Sequence, residues 1–230
     1  MNVRVAITGI GTISSSGVGL EVLWRDCLEG RSGIGPITAF DVAPYKTRIA
    51  AQAPPLEGLD QHFDGKLLKR TDSFANFALY AAKIALDQSG LVLDGEVGDE
   101  TGVLIGSGIG GMQTWEKQFQ VLLNRGPDRV SPFLVPMMII DMASGLVSME
   151  FGARGPNLSV VTACATSTHA LGEATEIICR GAARAMIAGG AEAVICPTAL
   201  SGFCAAGALS ERNDDPATAC RPFDRTRDGF

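Results

Sequence analysis

The chain has 230 residues, 46% of them hydrophobic and 19% charged, enough to bury a core in one domain or two. A net charge of −6 and a pI near 5.0 argue against a nucleic-acid or membrane-surface binder and leave a small molecule or a protein as the partner. Six cysteines with no C-x-x-C spacing, and two histidines, His62 and His169, with no H-x-x-x-H pair, argue against a zinc site, so no metal is expected.

The hydrophobic run that opens the chain is too short for a signal peptide and no small-residue cleavage site follows, so the expected compartment is the cytoplasm, with reduced thiols. Residues 3–10 read as a buried strand turning at Gly9 and Gly11, and residues 20–28 as a short helix closed by Gly30. Residues 73–89 form an amphipathic helix pattern on Phe74, Phe77, Ala78, Ala81, Ala82 and Ala85, closed by Gly90. A strand over 101–105 and a helix over 112–123 follow. The apolar stretch 133–151 is interrupted by Pro136, Asp141 and Glu150, which excludes a membrane span; its part 137–151 is expected as another helix, with Gly145 letting a neighbouring element approach. A further strand over 185–188 ends in Gly189-Gly190. The Pro/Gly/Asp-rich pieces 53–60, 124–132 and 211–218 read as surface loops, and no solenoid or propeller period is present. This alternation predicts an α/β fold, an apolar sheet covered by helices.

Gly106-Ser107-Gly108-Ile109-Gly110-Gly111 satisfies G-x-G-x-x-G between a strand and a helix, which raises a dinucleotide-binding oxidoreductase. The acidic residue that would bind a ribose about 20 residues on is missing: that region, Asn124 to Arg129, is a turn. The glycines are better explained by close approach of backbone to a ligand chain or to another helix.

Leu158-Ser159-Val160-Val161-Thr162-Ala163-Cys164-Ala165-Thr166-Ser167 leads from a strand directly into the first turn of a helix. Ala170, Leu171, Ala174, Ile177 and Ile178 supply that helix with an apolar stripe, Glu176 and Arg180 an i,i+4 pair, and Gly181 a stop. The unpaired N–H groups and positive dipole end of a helix favour an anion, hence the thiolate, so Cys164 is the candidate nucleophile. His169 lies about 140° around the helix from Cys164 and is expected to point away; His62 sits in a polar loop; both read as structural.

These pieces together resemble the β-ketoacyl-acyl-carrier-protein synthases, most closely the synthase II type. The matching stretches are VAITGIGTISSSG, SGIGPITAFD, VLIGSGIGG, SPFLVPMMI, FGARGPNLSVVTACATSTHALGEA, AGGAEA and GALSERNDDPATACRPFDRTRDGF, in the family's order over residues 3–230. The resemblance implies a thiolase-like fold of two similar α/β halves, a homodimer, no cofactor, and an acyl carrier protein as partner. It implies that Cys164 takes the acyl group from a carrier thioester, with its own backbone N–H as oxyanion donor, and that a decarboxylated malonyl-carrier-protein then attacks the acyl-enzyme to give a 3-oxoacyl product. It also implies that Ile109 and Leu134 line the acyl pocket, Leu134 from the partner subunit, and that Lys66, Lys69 and Arg70 dock the acidic carrier. Gly207 stands where close relatives have a further docking arginine.

The family's two catalytic histidines, in an H-G-T-G-T stretch and a later G-H segment, have no counterpart in these 230 residues. The chain is therefore expected to be an amino-terminal half, able to become acylated but not to condense. Two alternatives remain: the ketosynthase of a type II polyketide pathway, and a non-catalytic partner of the chain-length-factor kind, which typically has glutamine where this chain has Cys164.

Overall fold

The computed structural model describes residues 3–56 and 61–230, so the predicted loop at 53–60 lies partly outside the described residues. In chain order the elements are β1 (Ile13–Ser14), β2 (Gly17–Val18), α1 (Leu20–Glu29), β3 (Gly35–Pro36), β4 (Ile49–Ala50), α2 (Gly65–Leu68), α3 (Ser73–Ser89), α4 (Gly95–Asp99), β5 (Thr101–Gly106), α5 (Met112–Arg125), α6 (Leu134–Met138), α7 (Met142–Phe151), β6 (Asn157–Leu158), α8 (Thr166–Cys179), β7 (Ala185–Gly190) and α9 (Pro197–Ala205). They fall into two units: Met1–Gly11 with Gly58–Ala193, and Thr12–Glu57 with Val194–Phe230.

The first unit is built on a parallel sheet of order β6-β5-β7. The central strand β5 is buried at every position, which is why its sequence, Thr-Gly-Val-Leu-Ile-Gly, shows no alternation. Helix α8 packs on β5 and β7, α7 packs on β5 and β6, and α3 lies against α7. Leu104 joins Ala170, Ile177 and Ala183 in a core cluster edged by Leu158, Val160 and Met186. Ala170 and Ala174, both buried, present small side chains beside Ile177 on the face of α8 that packs on the sheet. Buried Asp72 ties two helix starts together, accepting from the Phe74 N–H at 3.2 Å to cap α3 and from the Thr114 N–H of α5 at 2.8 Å.

Five expectations change. Residues 3–10 form no strand and largely face solvent, with Ile7 78% exposed. A strand exists only where a neighbour completes its ladder; here the segment runs along α3 instead. Gly9 and Gly11 approach the carbonyls of Ala85 and Ala81 so closely that a Cβ would overlap them, and the Ile10 N–H donates to Gln88 Oε1 at 2.6 Å. The single helix expected over 137–151 is two, α6 and α7, broken at Ile139, whose ψ of 141° is extended. The Met138 carbonyl turns out of the helix to accept the Gly111 N–H at 3.0 Å. Gly145 admits no neighbour: a Cβ built there meets nothing within 4 Å. On α8, Arg180 pairs with Glu173 at 3.3 Å rather than with Glu176, and Leu171 of the predicted apolar stripe is exposed.

In the second unit β1 and β2 form a short antiparallel hairpin leading to α1, which Gly30 closes in the left-handed conformation. Strands β3 and β4 pair antiparallel, Gly35 opposite Ala50. After α9 the chain folds back: the Thr47 hydroxyl donates to the Ser210 carbonyl at 3.0 Å, the Arg48 N–H to Asn213 Oδ1 at 2.7 Å, and Phe230 meets Phe203 edge-on with centroids 5.5 Å apart. Asp228 secures this return, accepting from the Ser210 hydroxyl at 2.8 Å and the Glu211 N–H at 3.2 Å.

Candidate active site

Strand β6 is only two residues long because the sheet ladder is handed over to side chains at Ile105. The Ile105 N–H donates to Ser144 Oγ at 2.7 Å, and the Ile105 carbonyl accepts from Ser159 Oγ at 2.7 Å. Ser144, fully buried on α7, also reaches the Leu158 carbonyl at 2.8 Å. With hydroxyls completing the hydrogen bonds of β5, the chain after Leu158 is free to leave the sheet.

It leaves into a closed turn. The Thr162 N–H donates to Thr166 Oγ1 at 2.8 Å, and the Ala165 N–H to the Thr162 carbonyl at 3.1 Å. Within this turn Ala163–Ala165 form one 3-10 turn that runs straight into α8, and Cys164 is its middle residue. The predicted direct passage from strand to helix is thus replaced by a loop and a 3-10 turn, while the cysteine still stands at the amino-terminal end of α8. Ala163, the residue before it, has a φ of 51°, a left-handed conformation unusual for a residue with a Cβ. Cys164 is exposed, and its backbone N–H meets no acceptor among the described residues. A thiol there is open to an electrophile, with an unused donor beside it.

Glycines let α8 come this close to the strand ends. A Cβ on Gly106 would collide with Thr166 Cγ2 and the Val160 carbonyl, and one on Gly190 would lie 2.9 Å from Ser167 Cβ. The glycine-rich signal in the sequence therefore serves packing at the mouth of α8. The G-x-G-x-x-G loop does hold an anion, but it is the protein's own: the Gly108 and Ile109 N–H groups converge on Glu192 Oε2 at 2.8 and 3.1 Å. That occupancy removes the site a dinucleotide phosphate would need.

Ile109 is exposed on this loop, and a Cβ on neighbouring Gly108 would lie 3.9 Å from Ala163 Cα, so the loop runs beside the cysteine turn. Gly110 and Gly111 pack on the end of α6, whose first residue is half-buried Leu134. Lys66, Lys69 and Arg70 are exposed on and just after α2, and no ion pair among the described residues engages them. The Arg70 guanidinium lies 4.5 Å from the Phe133 ring centroid, so the basic cluster abuts the segment carrying Leu134.

His169 does not simply face away: its Nδ1 lies 3.3 Å from Thr162 Oγ1, within the cysteine turn, and the ring is exposed. No hydrogen bond joins it to Cys164 among the described residues. His62 stacks on Tyr80 with centroids 5.6 Å apart. Gly207 has a φ of 62°, a left-handed conformation that residues with a Cβ rarely adopt. Among the described residues no group of His, Cys, Asp and Glu is arranged to hold a metal ion, and no helix is long and apolar enough to cross a membrane. Sequence reasoning missed Ser144, Ser159, Ser107 and Glu192, because their partners lie far along the chain and short-range spacing carries no mark of them.

A family model described as "Beta-ketoacyl synthase, N-terminal domain" matches residues 2–230. The chain belongs to the β-ketoacyl synthase family. A 3-oxoacyl-[acyl-carrier-protein] synthase 2 of Synechocystis sp. is 48% identical over 227 residues, covering 99% of this chain and 54% of the relative. A synthase of the same name from Staphylococcus aureus is 48% identical over 229 residues, covering all of this chain and 55% of the relative. The chain spans about half the length of the curated relatives it matches. Among solved structures, a β-ketoacyl synthase from Burkholderia phymatum STM815 superposes with a TM-score of 0.84 at 29% identity, covering 99% of this chain and 56% of that one. A type II PKS acyl-carrier protein in complex with its ketosynthase bound to the hexaketide gives 0.83 at 28%, with coverage of 99% and 55%. The α/β architecture of this β-ketoacyl synthase chain is thus the thiolase-like one expected from its sequence.

Proposed function

We propose that this chain is the acyl-accepting part of a 3-oxoacyl-[acyl-carrier-protein] synthase of fatty-acid elongation. The observation that carries it is the exposed Cys164 in a closed turn at the amino-terminal end of α8 with an unengaged backbone N–H. In the proposed reaction Cys164 Sγ attacks the carbonyl carbon of an acyl-carrier-protein thioester. The Cys164 N–H meets the oxyanion, the carbon–sulfur bond to the carrier breaks, and the carrier thiol leaves with the proton the cysteine gave up. Ile109 and Leu134 line the acyl chain's path, Leu134 from a partner subunit in a homodimer, and Lys66, Lys69 and Arg70 face the carrier protein. No cofactor takes part, and the cytoplasm is the compartment.

Condensation with malonyl-carrier-protein needs the two histidines that the family carries in motifs not found in these 230 residues. We therefore assign residues 1–230 to the amino-terminal half of a ketosynthase, and the step assigned to the residues within them is acyl transfer to Cys164. The relatives at 48% identity favour fatty-acid synthesis over the polyketide alternative, whose ketosynthase neighbour stands at 28%. Cys164 itself speaks against a chain-length-factor-like partner.

Exposure does not single out Cys164, since Cys27, Cys179 and Cys220 are exposed as well. The test is intact-mass and peptide mapping after incubation with an acyl-carrier-protein thioester. One acyl group on Cys164, abolished in Cys164→Ala, is expected; labelling spread over the other exposed cysteines overturns the assignment.

A further inference from the structure

Glu192 follows the end of β7 and faces solvent, yet its carboxylate is engaged by donors of one loop. Oε2 accepts from the Gly108 N–H at 2.8 Å and the Ile109 N–H at 3.1 Å, and Oε1 accepts from the Ser107 hydroxyl at 3.0 Å. Ser107 Oγ in turn accepts from the Gly110 N–H at 3.0 Å. Two successive N–H groups on one carboxylate oxygen form an anion nest, and the serine extends it by a third backbone donor. A Cβ on Gly108 would lie 2.9 Å from Glu192 Oε2, so the position needs glycine for the carboxylate to seat. On its far side the same loop is fixed by the Gly111 N–H on the Met138 carbonyl at 3.0 Å. Ile109 is therefore suspended between two anchors, next to Gly108, on which a Cβ would lie 3.9 Å from Ala163 Cα of the cysteine turn.

We infer that Glu192 is a positioning residue that sets how far Ile109 stands from the acyl group on Cys164, and through that distance which chain length is accepted. This rests on the assignment of Cys164 as acyl acceptor and Ile109 as a lining residue. Glu192 touches neither the thiol nor the acyl chain. Its effect is geometric: without it Gly106 stays paired to β7, but Ser107, Gly108 and Ile109 lose the carboxylate that holds them to the segment after that strand, and Ile109 moves. A displacement on the order of 1 Å at a reacting site changes rates by about 100-fold, and a misfit of one methylene discriminates by about 10-fold or more.

The test uses Glu192→Gln, which replaces one acceptor oxygen by a donor, and Ser107→Ala, which removes the hydroxyl link. Cys164 acylation is timed with hexanoyl- and myristoyl-pantetheine thioesters in parallel with alkylation of Cys164 by iodoacetamide. The expected result is a change of about 10-fold in the myristoyl-to-hexanoyl rate ratio with alkylation of Cys164 within about twofold of wild type. An unchanged ratio in both variants overturns the proposal. Should Glu192→Gln open buried Cys196 to alkylation, a sign of unfolding, Ser107→Ala decides by the same ratio. If the wild-type chain accepts neither acyl group, the acyl-transfer assignment is what fails, and the anchor is judged by amide hydrogen exchange. Gly108 and Ile109 exchanging about 10-fold faster in Glu192→Gln upholds the anchor, and equal exchange overturns it.

Discussion

Ser144→Ala removes one oxygen from the point where α7, β5 and β6 meet. That oxygen accepts the Ile105 N–H at 2.7 Å and lies 2.8 Å from the Leu158 carbonyl and 3.1 Å from the Ile105 carbonyl. The Ile105 carbonyl keeps the Ser159 hydroxyl at 2.7 Å, so its loss is small. The Ile105 N–H keeps nothing, and Ser144 is 0% exposed, so no water reaches it. An orphaned buried donor costs about 1–3 kcal/mol and the lost bond to Leu158 about 1 kcal/mol. We expect a total of about 2–4 kcal/mol, or a melting temperature lower by roughly 4–16 °C for a chain of this length. Because Leu158 also leads into the cysteine turn, Cys164 should in addition lose selectivity in alkylation over the other exposed thiols. The assay is denaturant unfolding read for midpoint and slope, alongside iodoacetamide labelling. A shift below about 0.5 kcal/mol would refute the claim that this hydroxyl completes the hydrogen bonds of β5.

Three other outcomes follow from the same geometry. Gly106→Ala drives a Cβ into Thr166 Cγ2 and the Val160 carbonyl, so α8 must retreat; stability should fall by about 1–3 kcal/mol and Cys164 acylation by up to about 100-fold, measured by intact mass against time. Gly145→Ala adds a Cβ into open space within α7 and should raise stability by about 0.5–1 kcal/mol; a loss would mean that something does pack there. The Asp228 carboxyl is held below its ordinary value of 3.8, first by the Ser210 hydroxyl and also by the Glu211 N–H and Arg212. Its stabilising effect is therefore complete above that ordinary value, which the unfolded chain keeps, and is lost as pH falls through the lower folded value. The difference in unfolding midpoint between wild type and Asp228→Asn should be constant at neutral pH and close on acidification, and a gap that widens in acid would contradict the assignment.

The sequence by itself determined what short-range physics controls. Apolar spacing gave α3 and α8, Gly30 and Gly90 gave left-handed helix ends, and the apolar run at 101–105 gave the buried strand β5. An apolar strand leading into a helix with a cysteine at its start was enough to point to Cys164, because dipole and periodicity act within a few residues. Tertiary structure alone decided what depends on partners distant in the chain. Residues 3–10 have a strand's composition but no ladder among the described residues, so Ile7 faces water. The helix expected over 137–151 breaks because the Met138 carbonyl is drawn to Gly111, and Ser144 and Glu192 gain their roles from hydrogen bonds spanning 39 and 83 to 85 residues. Such a bond leaves no period in the sequence: its donor and acceptor are paired by the folded backbone, and either side chain read alone is one more surface glutamate or helix serine.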